Sequence, residues 1–238
     1  MGKERYSRTR SLINLIMGRE KQSPTRSLIN LIRNSSLSIV LFGLFIICIS
    51  AQSFVSWRLQ NETLAAQGRA LVGYWHHLAT GAFLEGLASN WQAAFLQLAS
   101  LIVFSSFLYQ RGAAHSLDPR KAKGERKRRE EAGRFTWLYR NSLFVAFVLL
   151  FVFSLALYAV FGTAAYNAER ALTGRPPVSI AAFMLSAQFW SSTLQTWQAE
   201  YLAIAVYVVL SIFLRQQESP ESKPLEATNE TRKAPVAR

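Results

Sequence analysis

Apolar residues along this chain gather into four blocks separated by polar stretches: LSIVLFGLFIICISAQSFVSW (37–57), WQAAFLQLASLIVFSSFLY (91–109), SLFVAFVLLFVFSLALYAVFG (142–162) and WQAEYLAIAVYVVLSIFL (197–214). Each approaches the ~20 residues that cross ~30 Å of hydrocarbon at 1.5 Å per residue. A buried helix of a soluble protein usually keeps a polar face, and the third block has almost none. In lipid every backbone N–H and C=O must be satisfied within its own segment, so each block predicts a membrane-spanning helix. Trp57, Trp91, Tyr109, Trp137, Tyr139 and Trp197 mark block ends, as expected where amphipathic rings meet headgroups. Of these, Trp91 and Trp197 are the expected interfacial anchors.

Charge orients the blocks. The net charge of +13 could suggest nucleic acid, but the positions of the basic residues argue otherwise. Eight Lys/Arg precede the first block, ten lie between Arg111 and Arg140, and five follow Leu214. The other two connections share only Arg58, Arg69, Arg170 and Arg175. By the positive-inside rule, both termini and the middle loop are cytoplasmic. The single cysteine, Cys48, excludes an intramolecular disulfide. Its neighbour Ile47 is not the small residue that a lipoprotein cleavage site needs. As a signal peptide the first block would be long and would lack a good cleavage site.

The chain also repeats itself. An offset of 106 residues, without a gap, aligns Trp91-Gln92-Ala93 with Trp197-Gln198-Ala199, Leu96 with Leu202, and Phe107-Leu108 with Phe213-Leu214. The same offset pairs Gly68-Arg69 with Gly174-Arg175, Phe83 with Phe189, and Ser36-Leu37 with Ser142-Leu143. Shared hydrophobicity alone does not hold one register for so long, so the pattern predicts a tandem duplication of one unit: span, outer loop, span. The first block then corresponds to an internal span and is retained. Each unit crosses twice, so both copies face the same way, unlike the inverted repeats of many transporters.

The expected fold is therefore all-α and integral to the membrane: four transmembrane helices from a duplicated, parallel-oriented helical hairpin. Its organisation reads as a basic cytoplasmic segment (1–33), a first hairpin unit (34–119), a basic cytoplasmic linker (120–139), a second unit (140–217) and a disordered tail (218–238). The first segment holds a smaller repeat, MGKERYSRTRSLINLI (1–16) then MGREKQSPTRSLINLI (17–32), so Met1 and Met17 both stand as starts. It reads either as a local duplication or as a basic amphipathic segment on anionic lipid. The outer segments 74–90 and 176–196 are apolar but too short or interrupted to cross. Each predicts a short helix that lies at the interface or dips in and returns.

Chemistry is sparse. His76 and His77 are adjacent, so on a helix they point about 100° apart and make poor joint ligands. His115 falls on the opposite side of the membrane, and no Cys or carboxylate cluster has metal-ligand spacing. No phosphate loop, dinucleotide fingerprint or nucleophile elbow is present, so neither a cofactor nor an enzymatic activity is expected. The linker RKAKGERKRREEAGR (120–134) lacks the aromatics and motifs of a nucleic-acid binder. Expected partners are the bilayer, anionic inner-leaflet lipids at the basic segments, and a second copy or another membrane protein. Glu200 is the one acid in the four blocks, about 4.5 Å of helix rise past Trp197. It reads either as a solvated interfacial carboxylate or, with Gln97, as a polar or ion site between the hairpins.

WQAEYL (197–202), with FLRQQESPESKP following, resembles an uncharacterised family of small bacterial membrane proteins, known as a domain of unknown function. Trp197, Gln198, Glu200, Leu202 and the run Ser219 to Pro224 match its pattern. Ala199, Tyr201, Gln217 and Glu218 depart from it. Gly81, Phe83, Leu84, Glu85, Asn90, Trp91, Phe95, Leu96 and Gln97 are similar to the pattern's earlier copy, while Ala94 stands where an acid is expected. The resemblance covers most of the chain after Arg33 and implies a bacterial inner-membrane location without an activity. The expected role is a non-enzymatic scaffold, sensor or partner-binding protein, the alternative a small ion, proton-linked or solute carrier using Glu200 and Gln97.

Overall fold

The structure, a computed structural model, describes residues 32–110, 113 and 137–222. The amino-terminal repeat up to residue 31, His115, the linker 120–134 and the tail beyond Ser222 lie outside the described residues. All seven described elements are helices: α1 (Ser36–Ala66), α2 (Tyr74–Leu78), α3 (Gly81–Phe107), α4 (Trp137–Arg140), α5 (Ser142–Leu172), α6 (Ile180–Met184) and α7 (Ala187–Phe213). The four long ones are long and apolar enough to cross a membrane. The described residues are those of an all-helical, multi-pass membrane protein.

Helix boundaries recur with the register of the sequence. α1 and α5 are each 31 residues and begin 106 residues apart; α3 and α7 are each 27 residues and keep the same offset. The local chemistry at the ends explains why. Gly68 (φ 65°) and Gly174 (φ 67°) adopt the left-handed conformation that closes a helix at low cost for glycine. The N–H of Arg69 reaches back to Leu64 O at 2.8 Å, and that of Arg175 to Arg170 O at 3.0 Å. These are matching Schellman closures. At the next helix starts, Thr80 Oγ1 accepts from Phe83 N (3.4 Å) and Ser186 Oγ from Phe189 N (3.2 Å).

The outer segments divide differently from the expected single short helix. Only Tyr74–Leu78 and Ile180–Met184 form separate helices; residues 81–90 and 187–196 belong to α3 and α7. Thr80 and Ser186 start new helices, and no proline interrupts either one afterwards. The tail also begins in order. Tyr207 Oη donates to Glu221 Oε2 (3.0 Å), and Gln216 N donates to Ser222 Oγ (2.9 Å). Residues 217–222 thus form a turn.

The chain divides into two compact units, Met1–Leu71 and Val72–Arg238. The first carries α1, whose hydroxyls return to its own backbone: Ser53 Oγ to Ser50 O at 2.8 Å and Ser56 Oγ to Ser53 O at 3.2 Å. In the second unit α3 is central, running antiparallel along α5 and packing against α7. Without a hydrophobic drive in lipid, close packing of small residues must hold such helices. The buried positions fit that demand: Ala88, Ser89, Ala93 and Ala99 on α3, with Ser154, Ala159, Gly162 and Thr163 on α5. A Cβ on Gly81 would stand 2.9 Å from Ala165 N and 3.0 Å from Phe161 O. Nearby, Tyr158 stacks on Phe189 (centroids 5.0 Å apart), and Phe183 packs edge-on against both. Gly162 leaves room for the Phe183 ring, which a Cβ would meet at 2.8 Å.

Glycine-to-alanine changes on α3 should therefore split in sign. Gly81→Ala presses on helix backbone and should cost about 1–3 kcal/mol, outweighing its gain in propensity. Gly86→Ala meets nothing within 4 Å and should stabilise by roughly 0.5–1 kcal/mol. Unfolding of the detergent-solubilised variants measures both; equal effects would sink the close-approach argument.

Candidate functional site

Polar side chains that are buried in a membrane protein mark the places where its helices are specified. The seam between α3 and α7 has two such places. Trp197 Nε1 on α7 donates to Gln92 Oε1 on α3 at 2.8 Å, and Ser100 Oγ and Tyr201 Oη share a hydrogen bond of 2.9 Å. Both pairs step in the same direction along their helices, so α3 and α7 run parallel here. Gln92 is fully buried, and its Nε2 is enclosed without a hydrogen-bond partner. The indole N–H can only donate, so it fixes which end of the amide faces Trp197. Phe151 of α5 packs against the Trp197 ring with centroids 6.3 Å apart.

Beyond Tyr201 the two helices leave a cavity of about 660 Å³, lined by Ser100, Phe104, Leu108, Tyr201, Val208 and Ser211 among others. That size falls within the ~300–1,000 Å³ of small-molecule sites. Its walls are aromatic and aliphatic, with hydroxyl groups as the main polar element.

The sequence-predicted residues are distributed around this seam. Trp197, expected as an interfacial anchor, is half-buried and holds Gln92; Trp91 is likewise half-buried. Gln97 on α3 and Glu200 on α7 are half-buried, and no hydrogen bond joins them among the described residues. The contacts the structure does draw together, Gln92 with Trp197 and Ser100 with Tyr201, are neutral. Gln92 lay in view in the twice-written Trp-Gln-Ala phrase: the tryptophan of one copy bonds the glutamine of the other. Serine and tyrosine in an apolar run gave no comparable signal.

Of the histidines, His76 is exposed and His77 is buried beside Phe83, their rings 5.1 Å apart. Burial holds the His77 imidazole below its usual pKa of 6.5. Among the described residues no three His, Cys, Asp or Glu side chains converge as a metal site would require.

The buried amide pair predicts an asymmetry. Trp197→Phe strands the Gln92 carbonyl and should destabilise by about 1–3 kcal/mol. Gln92→Leu also removes the unpartnered Nε2, and the double variant should be more stable than Trp197→Phe alone. Denaturant unfolding in micelles reads both; a double variant worse than Trp197→Phe would refute the pairing. His77 gives a pH effect. The native state holds its imidazole neutral, so the unfolded chain binds the extra proton as pH falls below about 6.5. That contribution is complete above pH 6.5 and is lost as pH falls through the lowered native pKa. Thermal midpoints at pH 5 and pH 8 should therefore differ less in His77→Phe than in the wild type; an unchanged difference would contradict the burial effect.

No curated protein and no solved structure matches this chain. A family model does, over residues 28–234 and so across all four long helices. The chain belongs to the family described as a domain of unknown function, DUF6766.

Proposed function

We propose that this protein is a non-enzymatic inner-membrane component of a bacterial cell, acting as a scaffold, sensor or partner-binding protein. It is built as a tandem-duplicated helical hairpin with both termini and the middle linker in the cytoplasm. The observation that carries the functional reading is the use made of buried polarity. Gln92, Trp197, Ser100 and Tyr201 are neutral groups bonded to one another across the α3–α7 seam. They fasten helices, whereas a pathway for ions calls for ionisable groups facing a wet cavity. The 106-residue recurrence of helix boundaries, Schellman closures and hydroxyl caps supports the duplication. The asymmetric distribution of Lys and Arg supports the orientation.

Glu200→Gln tests the role against the carrier alternative. The scaffold reading expects insertion, cellular abundance and unfolding stability to match the wild type. A proton- or cation-dependent phenotype abolished by Glu200→Gln at normal abundance would overturn it in favour of a carrier.

A further inference from the structure

The cavity between α3 and α7 reaches the ends of both helices. Leu108, Gln110 and Ala113, which follow α3, line it together with Tyr207 and Ser211 near the end of α7. Water begins where a spanning helix ends, so an apolar slot that runs that far exposes apolar wall unless something covers it.

The residues after α7 are placed to do so. Arg215 Nη1 donates to the carbonyls of Ser211 and Ile212 and fastens the end of the helix. Beyond it the chain closes on itself: Ser219 N donates to Gln216 O (3.3 Å), Ser222 N to Ser219 O (3.2 Å) and Gln216 N to Ser222 Oγ (2.9 Å). Tyr207 stands well before Phe213, the last residue of α7, so the turn has to come back along the helix to meet it. Tyr207 Oη donates to Glu221 Oε2 (3.0 Å), with the Glu221 carbonyl oxygen 3.1 Å away. One side chain therefore both forms cavity wall and holds the turn.

The turn is also strained. Glu218 has φ 61°, in the left-handed region that a residue with a side chain adopts at a cost. Such a conformation persists where neighbouring bonds impose it. Loss of the Tyr207 bond removes one of those bonds, and relaxation of Glu218 then favours the open turn.

We propose that residues 216–222 form a strap over the helix-end mouth of the α3–α7 cavity, latched by Tyr207 on Glu221. Access to the cavity is then set by a bond that lies outside the contact between the two helices.

Thiol accessibility tests the strap on the full chain in nanodiscs, in a Cys48→Ser background. Ala205 lines the cavity and Val206 beside it does not. Ala205→Cys thus reports the slot, and Val206→Cys reports any general loosening of α7. The reagent is methyl methanethiosulfonate, small and neutral, and intact mass gives the rate of modification. Ala205→Cys should react about tenfold faster once Tyr207→Phe is added, the scale of one hydrogen bond to a carboxylate. Glu218→Pro cannot take a positive φ and should accelerate it similarly, with Tyr207 and Glu221 both intact. Val206→Cys should react at one rate in all three backgrounds. No acceleration by either variant would overturn the strap, and so would an equal acceleration of Val206→Cys. Acceleration by Tyr207→Phe alone would place the effect in the cavity wall and overturn the strap. Acceleration by Glu218→Pro alone would overturn Tyr207 as its latch.

Discussion

The close approach of α3 to α5 is the constraint from which the rest of the Val72–Arg238 unit follows. In hydrocarbon, helices gain little by hiding apolar side chains from an apolar solvent, so association depends on dispersion and on hydrogen bonds. Gly81 brings the start of α3 against the backbone at Phe161 and Ala165, and a run of alanines and serines continues the contact. With α3 fixed on α5, its other side is presented to α7. There the interface changes character, from small residues in contact to a glutamine and a serine that bond to larger partners.

Side chains that complete the packing come from the short helices. Phe183 of α6 enters the space left by Gly162 and locks with Tyr158 and Phe189. Asn167 ties the approach to α6, donating from Nδ2 to Val178 O (3.0 Å) and accepting from Val178 N (2.8 Å). The offset of 106 puts His77 where α6 has Phe183, Ser56 where α5 has Gly162, and Gly81 where α7 has Ala187. Positions 106 residues apart thus share caps and helix lengths but differ where side chains interlock.

These differences bear on function. Glu200 and Ala94 occupy corresponding positions, so one half carries a carboxylate that the other lacks. Gln92 is buried and bonded while its counterpart Gln198 is exposed. Buried polar side chains lie on several helices: Ser89, Gln92 and Ser100 on α3, Ser154 and Thr163 on α5, and Thr193 on α7.

Much of the architecture was legible in the sequence because its determinants are local. Length and apolarity of a block set a spanning helix, whereas the glycine closures at Gly68 and Gly174 and the early starts of α3 and α7 after Thr80 and Ser186, ten residues before the apolar blocks, emerged only in the structure. The 106-residue recurrence of matching residues is likewise a property of the linear chain. The site was less legible because it depends on which faces meet. Periodicity places Gln97 and Glu200 toward the same region, but it cannot say that the crossing of α3 and α7 also brings Trp197 to Gln92. Nor does it say that Tyr207 bonds Glu221 of the turn that follows α7. Which faces of α3 and its neighbours meet is a matter of backbone proximity: at Gly81, α3 comes within reach of the main chain of α5, and that close approach limits how α3 can rotate against it.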